Sequence, residues 1–297
     1  MNTITISLKG GLGNQLFQYA MGKALAIRYN ATLALDVSGF QIDHFFKRSF
    51  ELMAFNLPLD IAISNNPIKF QLGRFIAHSP LLCSVLSSSY LIEPFKSYNH
   101  FLENLGPKEL SSDLYVFGNW QNARYFENIQ TLLRDQFSLR EPLSKLNQDI
   151  HGLITLATNP VSIHIRRNHN LPSPASRHSE AGNEKNRVGV TLQMDYYHSA
   201  ISFLKTKLPD PTFFIFSDDP RWAMENFKID GKAIVLENGR GSDYEDISLM
   251  SACNHHIIAN SSFSWWGAWL SDSENKIVVA PKISPLMPAV PANWIIM

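Results

Sequence analysis

The chain has 297 residues, 45% hydrophobic and 18% charged, with 26 Lys and Arg against 26 Asp and Glu. That length holds one large core or two domains of about 100–150 residues, and the charge balance removes the sequence-wide electrostatic pull of a nucleic-acid binder. Two cysteines, Cys83 and Cys253, cannot frame a disulfide scaffold and match no zinc-ligand spacing, so they read as reduced thiols of a cytoplasmic protein.

The chain opens MNTITISLKGGLGNQ, without a basic or apolar leader, and no run of about 18 apolar residues follows. A soluble protein, at most peripheral at a membrane, is expected. Residues 4–8 read as a strand, 9–13 as a glycine turn, and Asn14 as the cap of a helix carrying Leu16, Tyr19, Ala20, Ala24 and Ile27. A second strand at 32–35 ends at Asp36, completing a βαβ opening. Residues 40–110 are aromatic-rich and punctuated by proline, and no order of elements emerges from them. A strand at 115–118, a helical stretch at 122–137 and a linker at 138–144 carrying Pro142 follow.

The second half is more regular. Apolar runs at 161–165, 212–216, 233–236, 256–259 and 276–280 alternate with helical stretches at 194–207, 220–226, 243–252 and 262–270. Short, continuously apolar strands separated by helices predict a doubly wound parallel sheet. The polar stretch 168–189 interrupts it directly after the first strand, where ligand-binding loops of open α/β sheets lie.

Four strand ends carry candidate chemistry. Gly10, Gly11 and Gly13, with Asn14, form either a tight structural turn or an anion cradle at a helix start. With Asp36, 23 residues after Gly13, they also form part of a dinucleotide fingerprint whose third glycine is replaced by Leu16. In VSIHIRR, His164 and Arg166 share one strand face, and Arg166 suits a diphosphate clamp or an ordinary ion pair. After the next strand, Asp218 and Asp219 suit helix capping or contact with a base or ribose. Near the end, Asp246 precedes a turn in which Ser261, Ser262 and Ser264 bring hydroxyls to a helix start. Trp265, Trp266 and Trp269 read as core, and His255-His256 lacks a third ligand for a metal.

The stretches GGLGNQLFQYA, VSIHIRRN, FIFSDDPRWAMEN and SLMSACNHHIIANSSFSWWGAWLS together resemble the bacterial α-1,2-fucosyltransferases of glycosyltransferase family 11. The resemblance spans Gly10 to about Pro281. It implies an α/β protein of GT-B architecture, two Rossmann-like domains facing a cleft: residues 1–140 on the acceptor side and 141–297 binding GDP-fucose. It further implies inverting transfer of L-fucose from GDP-β-L-fucose to O2 of a galactoside in surface glycan or O-antigen biosynthesis, with no metal or other cofactor. A lipid-linked acceptor would bring peripheral contact with the inner membrane.

By the same resemblance, Arg166 would grip the diphosphate and stabilise the leaving group, supported by His164. Asp218 and Asp246 would face guanine or ribose, Ser261, Ser262, Phe263 and Ser264 would hold the phosphates, and Gly11, Gly13 and Asn14 would close over the donor. The family's Gly-Asp-Tyr after the two arginines is here Asn168-His169-Asn170, so the usual carboxylate is missing. His169 is the proposed general base in its place, its ordinary pKa of about 6.5 suiting that work, with Glu180 or Glu184 as substitutes. An NAD(P)-dependent oxidoreductase and a noncatalytic glycan-binding relative are the competing readings.

Overall fold

A computed structural model describes residues 1–42, 48–93, 110–167, 192–237, 242–282 and 289–297. The chain divides into two compact units, Met1–Gln136 and Phe137–Met297. His169, Glu180 and Glu184 lie outside the described residues.

The first unit comprises β1 (Thr3–Ser7), α1 (Leu12–Arg28), β2 (Thr32–Asp36), α2 (Ser38–Ile42), β3 (Ala62–Ser64), α3 (Pro67–Ile76), α4 (Pro80–Val85), β4 (Tyr90–Ile92), β5 (Leu114–Phe117) and α5 (Gln130–Gln136). Among the described residues its sheet runs β3-β2-β1-β5-β4, with every pairing parallel. Ile4 and Ile6 of β1 and Leu16, Phe17, Tyr19 and Ala20 of α1 are sealed from solvent, which accounts for an apolar helix with little amphipathic contrast.

The second unit comprises α6 (Lys145–Leu156), β6 (Asn159–Ile165), α7 (Met194–Lys207), β7 (Pro211–Ser217), α8 (Pro220–Asn226), β8 (Lys232–Val235), α9 (Asp243–Ser251), β9 (His255–Ile257), α10 (Ser262–Leu270), β10 (Val278–Ala280) and β11 (Ile295–Ile296). Its sheet runs β11-β10-β9-β6-β7-β8 among the described residues, again parallel throughout. Phe213, Phe214, Ile215 and Phe216 of β7 are all buried, as a strand covered on both faces requires. The tryptophans of α10 are core: Trp265 stacks on Trp269 and tilts against Trp294, while Trp266 meets Phe137 edge-on.

Several boundaries differ from the sequence expectation. Gly11, in extended backbone, caps α1, so Asn14 sits inside the first turn with its N–H bonded to the Gly11 carbonyl. The stretch expected as one helix at 122–137 is two 3-10 turns followed by α5, because the Asn122 side chain accepts the Arg124 N–H and closes a tight turn there. A sixth strand, β11, joins the C-terminal sheet.

Candidate functional site

In a parallel sheet, ligands gather where strand order reverses, outside the carboxyl ends of the strands. The first unit reverses at β1 and β5, the second at β6 and β9. Every glycine, arginine and serine proposed from sequence falls at one of these two places.

At the first, β1 turns through Gly10, whose φ of +78° restricts the position to glycine. A Cβ there would also stand 2.7 Å from the Asn14 amide nitrogen. The two glutamines of α1 fasten this turn. Gln15 donates to the carbonyls of Gly10 and Ser49 and accepts from the Glu51 N–H. Gln18 accepts from the Lys9 N–H and donates to the Gly118 carbonyl, tying the β1 loop to the β5 loop. Asn14 is met from the β5 loop by Gln121, whose Nε2 donates to Asn14 Oδ1 at 2.7 Å.

Sequence reasoning missed that second loop. Trp120 within it is fully buried and has a φ of +58°, strained backbone for a bulky residue. Glu93, just past β4, accepts the Asn119 N–H at 2.6 Å. Burial pushes its carboxyl pKa up, opposed by the amides of Asn119, Trp120 and Gln121 and by the Lys9 ammonium. Lys9 is itself pushed down by burial, with Glu93 opposing. Its Nζ lies 4.3 Å from the centre of the Phe117 ring. Nothing in the sequence spacing announces this cluster; β4 and β5 pairing assembles it.

Asp36 is not available for a ribose. Fully buried, it accepts from the Ser38 N–H and hydroxyl, the Asn66 N–H and the Tyr115 hydroxyl. It staples β2 to the following turns, and the dinucleotide fingerprint loses its acid.

At the second reversal, β6 delivers His164, Arg166 and Arg167. The Arg166 guanidinium lies 3.4 Å from Asp218 Oδ2, with side-chain exposures of 22% and 6%. The other Asp218 oxygen accepts the Arg167 N–H at 2.9 Å. Asp218 therefore stands behind the arginines, with its carboxylate buried and bonded to the β6 terminus. Arg167 stacks its guanidinium 3.7 Å from the centre of the Trp222 ring. Asp219 caps α8 by accepting the Trp222 N–H.

His164 is buried, its ring 5.5 Å from that of Phe263. Tyr197 of α7 donates to the His164 carbonyl, and Tyr196 donates to the carbonyls of Ile258 and Val279. Burial raises the pKa of both phenols, keeping them protonated donors. One helix thus braces the carboxyl ends of three strands.

After β9 the chain enters α10 through Asn260 and Ser261. The Ser261 hydroxyl accepts the Phe263 N–H, and Ser262 and Phe263 remain partly exposed at the helix start. Ser264 is buried: it accepts the Ala259 N–H and donates to the Ser261 carbonyl. It shapes the turn from inside. Asn260, which sequence reasoning passed over, has a buried Oδ1 with no hydrogen-bond partner among the described residues. Asp246 is partly exposed on the first turn of α9. Its neighbour Glu245 is buried and accepts from Ser144 and Asn147 of the α6 start.

His255 and His256 are both engaged within the sheet. His255 Nδ1 accepts the Ile277 N–H, and His256 Nδ1 pairs with the Ser162 hydroxyl. Burial lowers the pKa of each, that of His256 well below the usual value, with Lys276 and His255 adding to the effect. Among the described residues no group of three or more His, Cys, Asp or Glu is placed to hold a metal ion.

The sequence pattern of Glycosyl transferase family 11 matches residues 90–291. The chain belongs to glycosyltransferase family 11. It is 32% identical over 293 residues to the O-antigen biosynthesis glycosyltransferase WbnK of Escherichia coli, covering 93% of this chain and 92% of that one. It is also 32% identical to an Escherichia coli alpha-1,2-colitosyltransferase, covering 95% and 92%. A galactoside alpha-(1,2)-fucosyltransferase 1 of Rattus norvegicus is 26% identical over half of this chain and 40% of its own length.

Among solved structures, the fucosyltransferase NodZ from Bradyrhizobium aligns over 90% of this family 11 chain and 92% of its own, with a TM-score of 0.53 at 14% identity. Arabidopsis thaliana FUT1 aligns over 93% of this chain and 70% of its own, with a TM-score of 0.55 at 11% identity. The fold is of the GT-B type expected from sequence, two Rossmann-like α/β units, the C-terminal one a doubly wound parallel sheet. The protein is a glycosyltransferase.

Proposed function

We propose that this enzyme moves L-fucose from GDP-β-L-fucose to O2 of a galactoside, with inversion and without a metal, in the building of an O-antigen or related surface glycan. The observation that carries this reading is the Arg166–Asp218 pair at the β6 terminus of the reversal shared with β9 and the α10 start. A guanidinium held from behind by a buried carboxylate is preorganised for an anion, and such preorganisation dominates stabilisation of a leaving diphosphate. The names of the family 11 relatives supply the sugar and the glycan class, and structures of NodZ and FUT1 holding GDP support a guanine nucleotide donor.

In the proposed reaction the galactoside O2 attacks the anomeric carbon of fucose from the face opposite GDP. The bond from that carbon to the β-phosphate oxygen breaks, and Arg166 meets the charge left on GDP. Asn14, Gly11 and Gly13 close on the donor, Ser261, Ser262 and Phe263 line the phosphate side, and Asp246 faces the nucleoside. The O2 proton passes to His169, or to Glu180 or Glu184. A His169→Ala variant within about threefold of wild-type activity across pH 6–8 would exclude that histidine as the base.

The deciding experiment measures GDP affinity by calorimetry and fucosyl transfer to galactosides for wild type and Arg166→Ala. Loss of at least about a hundredfold in transfer is expected; an unchanged affinity and rate would end the proposal. Activity that persists in EDTA is expected, and an activity restored only by a divalent cation would overturn the metal-free step. The colitosyltransferase relative favours a second reading, a donor that carries colitose in place of fucose. Direct competition between the two donors separates these readings.

A further inference from the structure

The α3 helix is apolar over two arcs of its surface. Phe70, Gly73 and Ile76 form the inner one, with Phe70 and Gly73 packed against Phe117 at the end of β5. Ile68, Leu72 and Phe75 form the outer one, exposed by 81%, 40% and 63%. At 100° per residue these three fall within an arc of about 60°, a continuous stripe facing away from the sheet. Leu81 and Val85 of α4 are also strongly exposed. The outer stripe stands exposed among the described residues, and contiguous exposed apolar surface of this kind marks an interaction site.

Charge identifies the partner. From residue 61 to residue 92 the chain contains neither Asp nor Glu, while Lys69 and Arg74 stand exposed on either flank of the stripe. Among the described residues neither side chain has an ion-pair partner. A second copy of this chain docked isologously would set this basic rim against itself. An anionic bilayer accepts both parts: the apolar residues enter the interfacial layer and the cations meet phosphate headgroups.

We infer that α3 and α4 form a docking face for an anionic lipid surface. On its inner face α3 packs against Phe117, whose ring also receives Lys9 of the β1 turn. No helix among the described residues is long and apolar enough to cross a membrane, so attachment of this kind is interfacial. The docking face stands on exposure and charge alone; its use in reaching a lipid-linked acceptor rests on the transfer reading above.

The test is co-sedimentation of the full chain with vesicles of phosphatidylethanolamine and phosphatidylglycerol, and with vesicles of phosphatidylcholine alone, at low and high salt. Wild type is expected to bind the anionic vesicles and to leave them at high salt. The I68S/L72S/F75S and K69E/R74E variants, all changed at exposed positions, are expected to bind at least about tenfold more weakly. Unchanged GDP affinity and sedimentation velocity would show that these variants remain folded. Wild type that ignores anionic vesicles, or a triple variant that binds them as wild type does, overturns the inference. So does a wild-type dimer that the triple variant dissociates without any vesicle binding. A chain that binds vesicles but transfers no sugar would overturn the transfer reading and leave the docking face standing.

Discussion

Gln121 and Asn14 meet through a 2.7 Å hydrogen bond from Gln121 Nε2 to Asn14 Oδ1, across the reversal between β5 and β1. The contact fixes which end of the Asn14 amide is the acceptor and so which way its donor points. Gln121→Ala removes that constraint while leaving Gln15 and Gln18 to hold the turn. The donor KM is expected to rise about three- to tenfold, the worth of one hydrogen bond, with the melting temperature unchanged. An unaltered KM and kcat would show that Asn14 needs no such orientation.

Asp218 tests the second reversal in the same way. Asp218→Asn keeps an oxygen for the Arg167 N–H but removes the charge opposite Arg166. The expected result is a fall of about tenfold in kcat/KM for the donor, smaller than that of Arg166→Ala, because the guanidinium survives but loses its aim. Steady-state kinetics at several donor concentrations reads it. A loss equal to that of Arg166→Ala would mean that Asp218 itself touches the donor.

The first and second halves of the sequence are not equally readable. Buried parallel strands such as β6 and β7 carry continuous apolar runs, and these announce the C-terminal sheet. In the 40–110 stretch the strands β3 and β4 are three residues each, and α3 is apolar inside and out, so no single periodicity stands out. The α6 helix is hidden similarly: Ile150 and Ile154 face inward while Leu146, Leu153 and Leu156 are exposed. Arg166 and the serine turn are legible because a charge or hydroxyl cluster at the end of an apolar run has few structural uses. Glu93, Trp120 and Gln121 are not, since they become neighbours only when β4 pairs with β5. The serine pattern also does not distinguish a hydroxyl pointing outward from Ser264, which folds back into its own turn.

Glu93 predicts a pH dependence with a definite sign. Its folded pKa is raised by burial above the ordinary value of 4.5, so the folded protein holds the proton more tightly than the unfolded chain. Its contribution to stability is complete below that ordinary value and is lost as pH rises through the elevated one. Relative to Glu93→Gln, wild type should therefore lose stability in urea between pH 4.5 and the raised pKa. Parallel stability curves for the two proteins across that window would refute the assignment.

His256 predicts the opposite slope. Burial holds its imidazole neutral in the fold, well below the usual 6.5. Stability it supplies is present above 6.5 and declines as pH falls, because only the unfolded chain takes up the proton. His256→Gln should flatten the fall in stability below that pH by up to one proton per molecule, measured by denaturant unfolding at a series of pH values.

The Tyr196–Tyr197 brace has a consequence for how this enzyme can change. Both phenols sit on one helix and hold the ends of β6, β9 and β10, so a substitution that shifts α7 disturbs three strand ends together.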